Sequence, residues 1–200
     1  MPLIEFETAA VTREGETQSG DRHLVQPFEG GVLVGVVDGI GHGPEAAEAA
    51  RVAEATLREN ASDPPVELAE KCHERLRRTR GAVLSLASFL ARPSTVTWLG
   101  VGNVEGLLFR VEGGDGRRRE RLLLRAGVLG KNLPSLRSET LPVSPGELLI
   151  LATDGVQSEF AHDPRILGPL KKVANHIIAW HQKRTDDALV LVARYLGEES

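Results

Sequence analysis

Three acidic positions stand where apolar, strand-like sequence stops. Asp38 follows 31–37, Asp154 follows 148–152, and Asp186-Asp187 directly precedes 188–195. A carboxylate beside such sequence is costly unless water reaches it or a cation pairs with it. Carboxylates gathered at one end of a sheet would form an oxygen-rich site of the kind preferred by hard divalent cations such as Mg²⁺ and Mn²⁺. Gly39 and Gly155 follow two of these aspartates. Glycine lets the backbone turn sharply and brings a carbonyl close to an ion. Asp-Gly is also a common turn, so on the residues alone each pair reads either as a turn or as part of a cation site.

The elements that must position these carboxylates follow from periodicity. Residues 4–11, 21–28 and 31–37 read as strands, the third a nearly continuous Val/Leu run that stops at Asp38. Pro44 suits a helix start, and Ala46, Ala49, Ala50, Ala53 and Leu57 recur at helical spacing over 45–58. A second helix is predicted from Pro65 to about Arg80 and a third from Pro164 to Gln182. Strands are predicted at 82–90, 94–101, 104–111, 119–125, 137–143, 147–152 and 188–195, separated by turn signals such as Arg92-Pro93 and Gly102-Asn103. Strands mostly in succession predict an α+β protein with antiparallel sheets and helices outside them. With no linker in sight, 1–200 reads as a single domain.

Composition narrows the function classes. With 41% hydrophobic and 26% charged residues the chain resembles an ordinary globular protein, and 4% aromatics leave Leu, Val, Ala and Ile to build the core. A net charge of -4 argues against a surface that traps nucleic acid. One cysteine, Cys72, excludes an internal disulfide framework and a thiolate cluster. Its place on an apolar helix face makes it a core residue. The N-terminal residues lack the pattern of a signal peptide. The most apolar stretch, 82–91, is far short of the ~20 residues that span a bilayer. The expectation is a soluble, cytoplasmic protein that engages neither nucleic acid nor membrane.

Taken in order, Ser19-Gly20-Asp21, Val36-Val37-Asp38-Gly39-Ile40-Gly41-His42-Gly43, Ala152-Thr153-Asp154-Gly155 and Thr185-Asp186-Asp187-Ala188 resemble the metal-dependent PPM (phosphatase 2C-like) protein serine/threonine phosphatases. Within that family the likeness is to the short bacterial SpoIIE-like group. Residues 97–106, TWLGVGNVEG, resemble the RsbX type of that group, which acts in the stressosome pathway. The resemblance spans nearly the whole chain. It implies a four-layer α-β-β-α sandwich of two antiparallel sheets flanked by helices, with Mn²⁺ or Mg²⁺, two ions, at one end. Asp38 would bridge both metals, the Gly39 carbonyl would bind one, Asp154 and Asp186 the other, and Asp21 would hold a metal-bound water. Asp186 rather than Asp187 matches the first residue of the family's aspartate pair. In an extended segment Asp187 points the other way. The implied reaction is hydrolysis of phosphoserine or phosphothreonine on a phosphorylated STAS-domain stressosome protein by a metal-activated water, resetting a stress-response switch.

The chain also departs from the family pattern. The phosphate-gripping arginine of longer relatives has no motif match, although Arg13 and Arg22 are nearby. Their histidine after the first Asp-Gly is Ile40 here, and His42 follows two residues later as either a general acid or a loop residue. Arg117-Arg118-Arg119 with Arg121 reads as a solvated hairpin or a docking patch. His23, His73, His162, His176 and His181 have no ligand-like spacing and read as structural or surface residues. Alternative readings are a non-catalytic phosphoprotein-binding module of the same fold, a small-phosphoester hydrolase, and a phosphatase of a sporulation-type STAS partner.

Overall fold

The computed structural model describes residues 2–111, 119–163, 165–166 and 168–197. Strands β1 (Ile4–Val11), β2 (Asp21–Phe28) and β3 (Gly31–Gly39) lead into helices α1 (Pro44–Glu59) and α2 (Pro65–Leu76). Then come β4 (Ala82–Leu90), β5 (Thr95–Val101), β6 (Glu105–Phe109), β7 (Arg119–Arg121), β8 (Leu124–Arg125), β9 (Glu139–Pro142) and β10 (Leu148–Ala152). A 3₁₀ turn (Ser158–His162), α3 (Leu170–His181) and β11 (Ala188–Tyr195) complete the chain. One sheet runs β1-β11-β10-β6-β7 and the other β2-β3-β4-β5-β8, with β9 also paired to β5. The pairings are antiparallel except for the short β5–β8 contact.

Strand alternation assigns each side chain to a layer. On β3, Val32, Val34 and Val36 join the core between the sheets, while Leu33 and Val37 pack under α1 and α2. On β11, Leu189, Leu191, Ala193 and Tyr195 face the other sheet, while Ala188, Val190 and Val192 meet α3. The result is the α-β-β-α sandwich expected. Its three apolar layers hold the strand ends, and therefore the acidic residues, in fixed register. Cys72 is fully buried in the layer under α1 and α2, where burial pushes its thiol up to about 12. Among the described residues no helix is long and apolar enough to cross a membrane.

Several boundaries differ from expectation. Helix α2 stops at Leu76 rather than near Arg80. Thr79 donates both its N–H and its hydroxyl to the Leu76 carbonyl, and Gly130 packs so closely that a Cβ there would lie 2.7 Å from the same carbonyl. Helix α3 begins at Leu170, not near residue 164, and Pro164 lies outside the described residues. Gly168, at φ 138°, and the extended Pro169 break the helical path just before it. The strand expected at 119–125 divides between the two sheets. Leu122 turns into the inter-sheet core between them, and the bare faces of Gly100 and Gly106 leave room for it. Of the arginine run, Arg117 and Arg118 fall outside the described residues, and the Arg119 guanidinium lies 3.0 Å from His162 Nδ1.

Candidate metal centre

The strand ends bring the acidic residues together. Asp21 opens β2 and Asp38 is the last residue but one of β3, and the two are cross-strand partners. Alternation puts Asp38 on the side of Val34 and Val36, at the open end of the inter-sheet core. Asp154 follows β10 and Asp186 and Asp187 precede β11, the neighbouring strands of the opposite sheet. Thr153 ties the sheets together here: its hydroxyl donates to Asp21 Oδ2 at 2.7 Å and accepts from the Leu189 N–H at 2.9 Å.

The electrostatics fit a cation site. Burial pushes the Asp38 carboxyl far up, and Asp21, Asp154, Asp186 and Asp187 add to the rise. Burial also raises Asp21, against the opposing Thr153 hydrogen bond, with Asp187, Asp154 and Asp186 contributing further. Asp154 rises through burial and Asp186, while Lys183 opposes the shift. Carboxylates crowded in this way either hold protons or bind cations. An all-oxygen donor set of this kind suits Mg²⁺ or Mn²⁺.

Two glycines permit the close packing. A Cβ on Gly39 would sit 2.0 Å from the Ala46 carbonyl oxygen of α1, and one on Gly155 would sit 1.8 Å from that of Asp187. The Gly39 N–H donates to the Gly20 carbonyl at 3.0 Å, which fixes the turn.

The doubled aspartate divides its work. Asp187 is buried, and its two oxygens accept the backbone N–H groups of Arg13 and Gly20, each at 2.8 Å. Asp186 is half-buried, and one of its oxygens accepts the Asp187 N–H at 2.9 Å. His42 is exposed, and its Nδ1 contacts Glu16. Arg22 pairs with Glu54 of α1 at 3.0 Å.

Three residues at the site escaped sequence reasoning. Asn103 Nδ2 donates to Asp154 Oδ2 at 2.7 Å, and Lys183 Nζ donates to the Asp154 carbonyl at 2.7 Å. Thr153 is the third. Asn103 read as part of a turn and of the RsbX-like stretch 97–106 but with no role at the site, and nothing local marks Lys183.

The sequence matches the family model of Stage II sporulation protein E (SpoIIE) over residues 29–196. This chain belongs to the SpoIIE family. It is similar to the phosphoserine phosphatase RsbX of Bacillus subtilis strain 168, 23% identical over 190 residues that cover 92% of this chain and 91% of RsbX. A solved structure described under the bacterial stressosome, as a modular system adapted to control secondary messenger signalling, is 32% identical. It has a TM-score of 0.85, covering 96% of this chain and 99% of that one. The crystal structure of RsbX in complex with magnesium shares the fold, with a TM-score of 0.85 at 21% identity and coverage of 96% and 94%. This SpoIIE-family chain is a PPM-type protein serine/threonine phosphatase, and divalent-metal dependence accompanies the family.

Proposed function

We propose that this phosphatase removes phosphate from serine or threonine of a phosphorylated STAS-domain stressosome protein, with two Mn²⁺ or Mg²⁺ ions at the aspartate centre. The observation that carries the metal assignment is the convergence of Asp21, Asp38, Asp154 and Asp186 on one end of the sandwich, with Asp38 strongly raised by burial and by the other carboxylates. Asp38 and the Gly39 carbonyl, with Asp154 and Asp186, are the ligands. Asp21, held by the Thr153 hydroxyl, orients water at the site. The bound cations supply charge neutralisation for the phosphoryl oxygens and activation of the attacking water.

The chain's own residues set the rest. The Asn103 amide on Asp154 Oδ2 fixes the rotation of that carboxylate and leaves Oδ1 for an ion. Lys183 lies beside Asp154 and donates to a carbonyl there, so its positive charge is placed to draw in a phosphate dianion. It does the work for which no motif arginine is present. With Nδ1 of His42 engaged by Glu16, Nε2 is the ring nitrogen that delivers a proton to the departing seryl or threonyl oxygen. The stressosome assignment is supported by the likeness to RsbX and to the stressosome-derived structure.

The test is to incubate the protein and Mn²⁺ with phosphorylated STAS-domain proteins and, separately, with a small phosphoester. Phosphate loss is followed by mass spectrometry. Selective loss from a STAS protein supports the reading, and equal or better turnover of the small ester contradicts it.

A further inference from the structure

On the outer side of the five-stranded sheet, three side chains separated in sequence meet. Asp163 follows the 3₁₀ turn, and its side chain is 4% exposed. His176 and His181 project from α3 onto it, with Nε2 atoms 2.8 and 3.1 Å from the same oxygen, Asp163 Oδ2. One ligand atom from each residue lies within 4.8 Å of the other two. We propose that Asp163, His176 and His181 form a second metal site, of zinc type, separate from the aspartate centre.

The donor chemistry points to zinc rather than magnesium. Two imidazoles and one carboxylate suit a borderline-soft ion such as Zn²⁺, whereas the all-oxygen centre suits Mg²⁺ or Mn²⁺. Tetrahedral zinc with bonds of about 2.0–2.2 Å holds its donor atoms roughly 3.3 Å apart. The observed 2.8 and 3.1 Å contacts lie a little inside that spacing, and the two imidazole donors, within 4.8 Å of each other, complete the triangle. Three protein ligands leave a fourth position for water. When the metal takes the Nε2 lone pairs, each neutral ring carries its proton on Nδ1.

Arg165 is the competing cation. Its Nε lies 3.0 Å from Asp163 Oδ1 and its NH2 3.2 Å from Oδ2. Together with the two histidines it holds the Asp163 carboxyl far below the usual carboxylate range. The Arg165 side chain is 61% exposed and sits 5.4 Å over the ring of Trp180, itself 67% exposed. The guanidinium can therefore swing away without opening the core. The Arg165 backbone N–H, 2.9 Å from Asp163 Oδ1, still orients the carboxylate.

Occupancy would brace the phosphatase centre from behind. The His181 carbonyl accepts the Gln157 N–H at 2.7 Å, and the Lys183 N–H donates to the Gly155 carbonyl at 2.6 Å. A metal on His181 thus clamps the segment that carries Lys183 against the turn that carries Asp154.

The experiment titrates Zn²⁺ into the full chain with excess Mg²⁺ present, reading calorimetry, bound zinc by mass spectrometry and tryptophan emission. The expected result is one zinc per chain, with a change in Trp180 emission as Arg165 moves. His176→Gln and His181→Gln keep an amide donor for Asp163 and should weaken zinc binding at least about tenfold. Asp38→Asn should leave it unchanged, and Arg165→Met should tighten it. No zinc uptake by the wild-type chain, loss of uptake in Asp38→Asn, or binding unaltered in the glutamine variants would overturn the proposal. Should the glutamine variants fail to fold, unchanged affinity in folded Arg165→Met overturns it as well.

Discussion

Asp154 is gripped at two points by residues far away in the chain. Asn103 reaches its side chain across 51 positions, and Lys183 reaches its carbonyl across 29. Asp38 and Asp154 were legible in the sequence because each ends an apolar run. Asn103, Lys183 and Thr153 were not, because only the fold brings their partners to them, Thr153 and Asp21 being 132 positions apart. The meeting of His176 and His181 was not legible either: their common partner Asp163 lies on a different element, so spacing within α3 carried no signal. If Lys183 steers the phosphate, Lys183→Met should raise KM for the phosphoprotein about tenfold while changing kcat much less. A charge effect on approach predicts that split. Steady-state kinetics at low and high salt would check it, since the wild-type advantage should shrink as salt screens the lysine.

At the scale of elements, long periodic runs were legible and their joints were not. The runs that became β3, β10 and β11 were evident because both of their faces are buried. The end of α2 depends instead on what packs there, namely Gly130 against Leu76, while the start of α3 is set by the local backbone break at Gly168-Pro169. The division of 119–125 was hidden because it turns on a gap left by Gly100 of β5 and Gly106 of β6, both distant from Leu122 in the chain. The glycines beside the aspartates are required by contact between elements. A Cβ on Gly155 would stand 1.8 Å from the Asp187 carbonyl oxygen, so Gly155→Ala must push the start of β11 away from the β10 turn. Overpacking of this kind costs about 1–3 kcal/mol. The shift also displaces Asp186 relative to Asp154, so denaturant unfolding should show the loss of stability and Mn²⁺ titration a weaker affinity.

For the molecule as a whole, the two sheets gather negative charge at one end of a sandwich that is otherwise stitched by apolar layers. In the metal-free protein the carboxyls of Asp21 and Asp38 are raised from 3.8 to about 7 and about 9, burial being the largest cause of both. Groups raised on folding bind more protons in the folded state than in the unfolded one. Their contribution is therefore fully present below the unfolded value, near 4, and is lost as pH rises through the folded values. The metal-free melting temperature should fall as pH increases from about 5 to about 9. Mn²⁺ should restore it, with the largest gain at the alkaline end, where protons no longer compete. Melting curves over that range, with chelator or with Mn²⁺, would show it. A metal-free melting temperature that rises steadily over the same range would contradict the charge balance described for this end of the sandwich.

The most direct measurement is Mn²⁺-dependent phosphate release from a phosphorylated STAS-domain protein by wild type and Asp38→Asn, each confirmed folded. Asp38 faces the other aspartates across both sheets. The substitution should abolish Mn²⁺-dependent turnover, lowering it by at least about a thousandfold, and should remove high-affinity Mn²⁺ binding. Full activity retained in Asp38→Asn would contradict the metal assignment on which the proposed function stands.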